Sequence, residues 1–166
     1  MKNLTKNFTL EELIEAGSAK RLGGYEQHNP KLSIVNNLYE LCKNVLQPLR
    51  DHFGHAITIT SGYRSLPVNT GVGGAKNSDH LYGNAADIQL WMDGVNCNQM
   101  LFDAVIELGL DFKQMIDEFG TNEKPAWIHI SYDKGNNKKE ILRAEKTKGK
   151  TKYSRIYFKN QLKDTK

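Results

Sequence analysis

The chain has 166 residues, of which 39% are hydrophobic and 25% charged, the profile of one ordinary soluble globular domain. Two cysteines, Cys42 and Cys97, exclude a disulfide framework and a cysteine-built structural zinc site. No apolar run has the length of a signal-peptide core or the roughly 20 residues of a membrane span, so synthesis in a cytoplasm and no membrane insertion are expected.

The net charge of +4 is unevenly spread: residues 138–166 hold eleven Lys or Arg and three acids, so the remainder is acidic. Such a tail suits an anionic polymer or a solvated hairpin. No interleaved aromatic ladder marks a base-stacking platform, so specific nucleic-acid binding is not expected.

The first element is a helix after Thr9, with Glu12 three residues on as a capping box, Phe8 and Leu13 as a hydrophobic staple, and Gly17 as the stop. A second helix is predicted over 32–52. Leu38, Leu41, Cys42, Val45, Leu46 and Leu49 form its buried stripe, and Pro48 should kink or interrupt it. Cys42 on that stripe reads as a buried free thiol. Alternating Ile57 and Ile59 predict a strand that ends at Ser61-Gly62. Residues 65–79, rich in Gly, Asn, Ser and Pro, read as a long loop.

A strand over 85–90, a helix over 98–108, and strands over 112–119 and 127–132 follow. A basic hairpin, about 138–166, turns around Lys148-Gly149. No repeat or linker divides the chain. Helices come first and strands later, which predicts a single α+β domain with a mainly antiparallel sheet.

The chemistry concentrates in SDHLYGNAAD, Ser78 to Asp87. On a continuous helix His80 and Asp87 would stand about 10 Å apart along the axis, too far to share one zinc ion. The segment must fold back, and Tyr82-Gly83-Asn84 has the turn chemistry to do so. In WIHISY, Trp127, His129 and Ser131 share one strand face. His129 on a rigid strand would complete a two-His, one-carboxylate set with an open fourth position, the pattern of a catalytic Zn2+ site. His28, His52 and His55 are rival candidates, read as structural or surface residues because no carboxylate motif accompanies them.

The spacing Ser78-x-His80-x-x-Gly83-x-Ala85-x-Asp87, with Trp127-Ile128-His129 downstream, resembles the D-alanyl-D-alanine metallopeptidase family. FTLEEL, VLQPLRDHFG, ITSGYRS and the late basic hairpin carry the resemblance over nearly the whole chain. That family includes wall carboxypeptidases, vancomycin-resistance dipeptidases and phage endolysins, and the core of hedgehog signalling domains is similar.

The resemblance implies a zinc peptidase whose partners are peptidoglycan stem or crosslink peptides. An endolysin-like endopeptidase comes first and a D,D-carboxypeptidase second. It implies Arg64 near the scissile group, for a substrate carboxylate or the oxyanion, and Ser78 against substrate or ligand. Tyr63, Asp79 and Tyr82 are candidates for the groove. Family members often place an acid three residues before the last His, where this chain has Ala126. Matching QMIDEFG to related branches points to Glu118 as the general base, with Asp117 as its rival, because adjacent strand residues face opposite ways. A missing base would leave a non-catalytic wall-binding module. A monomer, phage-encoded and acting on the host wall, completes the expectation.

Overall fold

The computed structural model describes residues 2–121 and 124–156. Thr9 caps α1 (Leu10–Ile14): its Oγ1 accepts the Glu12 amide at 3.2 Å. Phe8 and Leu13 are both buried beside it, and Gly17 follows in a turn at φ +58°. Two single-turn helices, α2 (Ala19–Leu22) and α3 (Tyr25–His28), lead to α4 (Leu32–Leu41), which carries no break into α5 (Gln47–Phe53).

Pro48 does not interrupt this rod. A π-helical turn, Cys42–Leu46, precedes it, and the Gln47 amide donates to the Cys42 carbonyl. The wider turn accommodates a residue that lacks an N–H and whose ring crowds the preceding turn. All six predicted stripe residues are fully buried, and both cysteines are free thiols.

The strands are β1 (Ile57–Ser61), β2 (Ala85–Met92), β3 (Val95–Asn96), β4 (Gln114–Glu118), β5 (Trp127–Ser131), β6 (Glu140–Thr147) and β7 (Lys150–Arg155). Their order is β1-β2-β5-β4-β6-β7, with β3 paired to β2. Among the described residues every strand pairing is antiparallel except β4 with β6. The fold is thus α+β, as expected, with one parallel step in an otherwise antiparallel sheet.

Residues 65–79 are not one long loop. They contain α6 (Leu66–Gly71), with Ser65 extended at the cap position and Pro67 in the first turn; the proline's fixed φ suits that place. A further helix, α7 (Asn98–Glu107), follows β3. Residues 157–166 of the predicted basic hairpin lie outside the described residues.

The two faces of the sheet divide the labour. Ile57, Ile59, Ala86, Ile88, Leu90, Met115, Ile128 and Ile130 alternate onto one face and merge with the helices into the hydrophobic core. The opposite face carries polar residues in cross-strand rows. Register places Asp87 opposite His129, and His129 opposite Ile116. In the next row Trp127 stands opposite Glu118.

Candidate metal centre

Three polypeptide segments converge on the polar face. Asp87 comes from β2 and His129 from β5, adjacent strands whose register sets them side by side. His80 arrives on a 3₁₀ turn, Asp79–Tyr82, which Ser78 caps by accepting the His80 amide at 3.4 Å. The turn ends at Gly83 with φ +72°, and a Cβ there would stand 2.8 Å from the Ile34 carbonyl. Glycine is therefore required both by the left-handed backbone and by the close approach to α4.

The donor atoms lie within 4.8 Å of one another. His129 Nδ1 is 2.9 Å from Asp87 Oδ1 and 3.1 Å from His80 Nε2, and His80 Nε2 is 3.2 Å from Asp87 Oδ1. His80 Nδ1 lies 2.6 Å from the Gly62 carbonyl. A carbonyl can only accept, so Nδ1 carries the proton and Nε2 turns its lone pair inward. Burial favours the uncharged form of the His80 imidazole and holds its pKa below the usual value. Burial works against ionisation of Asp87, but the facing His80 and His129 outweigh it, and the carboxyl stays well below the usual carboxylate range. Two imidazole nitrogens and one ionised carboxylate, aimed at a common point, fit the donor set of a catalytic zinc ion.

Arg64 stands against this group. Its Nε donates to Ser61 Oγ at 2.8 Å, and its Nη2 donates to Asp87 Oδ2 at 2.6 Å and lies 3.2 Å from His80 Nε2. A cavity of about 840 Å³ opens over these residues, and Ser78, Asp79 and Glu118 also line it. Glu118 is 8% exposed. Among the described residues its Oε2 has no hydrogen-bond partner, and burial pushes its pKa up to about 7. Asp117 points the other way, where Arg143 Nε donates to it at 2.8 Å.

The structure does not bring the other candidates to the cavity. Tyr82 lies outside its lining with 52% of its surface exposed. Tyr63 is buried in the core cluster. His28 faces Glu15, His52 packs edge-on against Phe53, and His55 is exposed.

Two functional supports carried no sequence signal. Gln27, fully buried, donates from Nε2 to the Ile14 and Tyr63 carbonyls at 2.6 and 2.9 Å and accepts the Ser65 amide at 2.7 Å. It thereby clamps the segment that presents Arg64. Lys113 Nζ donates to Asp79 at 2.6 Å and tethers the turn that carries His80.

A buried His-Asp-His cluster with a neighbouring unpartnered carboxyl, set on one face of an α+β sheet, defines the class of metal-dependent hydrolases. Within that class the chain belongs to the Peptidase M15 family, whose sequence profile matches residues 6–131. An 83-residue stretch, 49% of this chain, is 35% identical to the zinc D-Ala-D-Ala carboxypeptidase of Streptomyces albus G. The match covers 31% of that protein's length. No helix among the described residues is long and apolar enough to cross a membrane.

Proposed function

We propose that this chain is a zinc peptidase that hydrolyses bonds involving D-amino acids in bacterial peptidoglycan, acting as an endopeptidase of the endolysin kind. The observation that carries this reading is the shared cavity, which joins the His80-Asp87-His129 donors to the unpartnered carboxyl of Glu118. A zinc ion bound by those three residues would supply Lewis acidity, acidifying a water and polarising the scissile carbonyl.

The chain's own groups do the rest. Glu118, buried and basic for a carboxylate, takes a proton from the attacking water and delivers it to the leaving amine. Arg64 lends positive charge where the carbonyl oxygen becomes negative. Ser78 holds the His80 amide and so fixes a ligand through its backbone.

An internal bond is favoured because the cavity lining runs well beyond the donor cluster and takes in Gly73, Asn77, Trp127 and Tyr153. The second reading, a D,D-carboxypeptidase, draws on the named activity of the Streptomyces relative and on Arg64, whose planar fork suits a terminal carboxylate. Mass spectrometry of purified peptidoglycan digested with the protein, with and without chelator, separates the two. New crosslink or stem cleavage points support the endopeptidase, release of terminal D-alanine alone supports the carboxypeptidase, and no chelator-sensitive product refutes both.

A further inference from the structure

The hairpin formed by β6 and β7 lies beyond residue 131, where the family match ends, yet it builds one wall of the site cavity. Register explains how. β6 runs parallel to β4, with Ile116 opposite Leu142 and Glu118 opposite Ala144. β7 then sets Tyr153 opposite Ala144 and Thr151 opposite Lys146. Alternate strand residues share a face, so Leu142, Lys146, Thr151 and Tyr153 stand on the same side as Glu118, and all four line the cavity.

The charges on that lining are not all matched. Arg64 is paired with Asp87, and Lys113 with Asp79. Lys146 lies on the same lining, and among the described residues no carboxylate is within ion-pair reach of it. Its ammonium instead sits 5.6 Å from the centroid of the Phe119 ring. A cation steadied over an aromatic face at the rim of a cleft is placed to meet an anionic group of a ligand.

We infer that Lys146 is a specificity-determining residue that binds a free carboxylate of the substrate peptide on the hairpin side of the scissile bond. This rests on the peptidoglycan-peptidase reading above. Stem peptides offer such a group at D-glutamate, whose second carboxyl is either free or amidated. The shared core would then cut the bond, and the hairpin would select which form of the wall peptide enters.

Lys146→Met tests this, because it keeps the aliphatic stem against Phe119 and deletes the charge. Two synthetic stem peptides, identical except for a free or amidated D-glutamate carboxyl, are titrated calorimetrically into zinc-loaded Glu118→Gln protein with and without Lys146→Met. The ratio kcat/KM is measured for both peptides in the otherwise unsubstituted protein. The charge deletion is expected to weaken the free-carboxylate peptide about tenfold more than the amidated one, with Lys146→Arg recovering most of the loss. Equal losses on the two peptides would overturn the inference while leaving the peptidase reading intact. If the unsubstituted protein neither binds nor cleaves either peptide, the peptidase reading fails and the inference falls with it.

Discussion

Glu118→Gln should separate catalysis from stability, and in opposite directions. In the chelated protein, burial raises the Glu118 pKa from an ordinary 4.5 to about 7. At about 1.4 kcal/mol per tenfold, the ionised side chain costs the fold roughly 3 kcal/mol, or about 2 once solvent at the open face of the cavity is allowed for. Below pH 4.5 the folded and unfolded chains both hold the proton, and the cost is absent. Between pH 4.5 and 7 the unfolded chain ionises first, so stability falls as pH rises, and above 7 the loss is complete. Glutamine removes this pH dependence while adding a small constant cost for an amide that must find partners.

The variant should therefore gain about 2 kcal/mol relative to the parent between pH 4 and pH 8, a Tm difference of roughly 4–8 °C for a chain this size. Turnover on a muropeptide should meanwhile drop about a hundredfold or more with zinc still bound. Paired thermal melts in chelator at the two pH values, with turnover measured under saturating zinc, provide the check. A Tm difference independent of pH would refute the argument from burial, and near-parental turnover would remove Glu118 as the base.

His80→Ala and His129→Ala should each lose the bound zinc; full zinc content in both by metal analysis would remove them as ligands. Chelation should abolish turnover but leave a cooperative circular-dichroism melt, since the core cluster forms on the sheet face opposite the donors; an unfolded chain would make the metal structural as well. Gln27→Leu strands three buried backbone groups and should cost about 2–4 kcal/mol in urea denaturation, and a loss below about 0.5 would show that water replaces the clamp. Asp117→Asn weakens a partly buried pair with Arg143 and should lower stability by about 1–2 kcal/mol while reducing turnover far less than Glu118→Gln. A larger turnover loss in Asp117→Asn would mean that the strand faces are reversed in solution.

The donor cluster was legible because two of its three members sit in one short segment whose glycine forces a turn, the third lies on a strand with clear alternation, and the whole spacing resembles a known metallopeptidase family. The opposite facing of Asp117 and Glu118 followed from the same alternation. Gln27 and Lys113 left no such trace. Their partners are backbone and carboxylate groups 13 to 38 residues away along the chain, and only the folded chain brings them within reach. At 65–79 the Gly, Asn, Ser and Pro content reads as a loop and masks α6, a short helix that starts at Ser65 and Pro67. At Pro48 the expected kink or interruption takes the form of a single wide turn that absorbs the missing amide, while the rod continues. The parallel pairing of β4 with β6 depends on how the chain crosses over, which periodicity does not encode.

Among the described residues β7 pairs with β6 alone, so it is the outer strand of the sheet. Such a border exposes main-chain donors and acceptors to any passing strand, including one from a second copy of the protein. Here Lys150, Lys152 and Arg155 occupy it, and all six β7 residues are exposed. Two molecules meeting border to border would bring these like charges together, so the strand resists self-association and amyloid-like stacking. High salt, by screening that repulsion, should be the condition under which the protein first begins to aggregate.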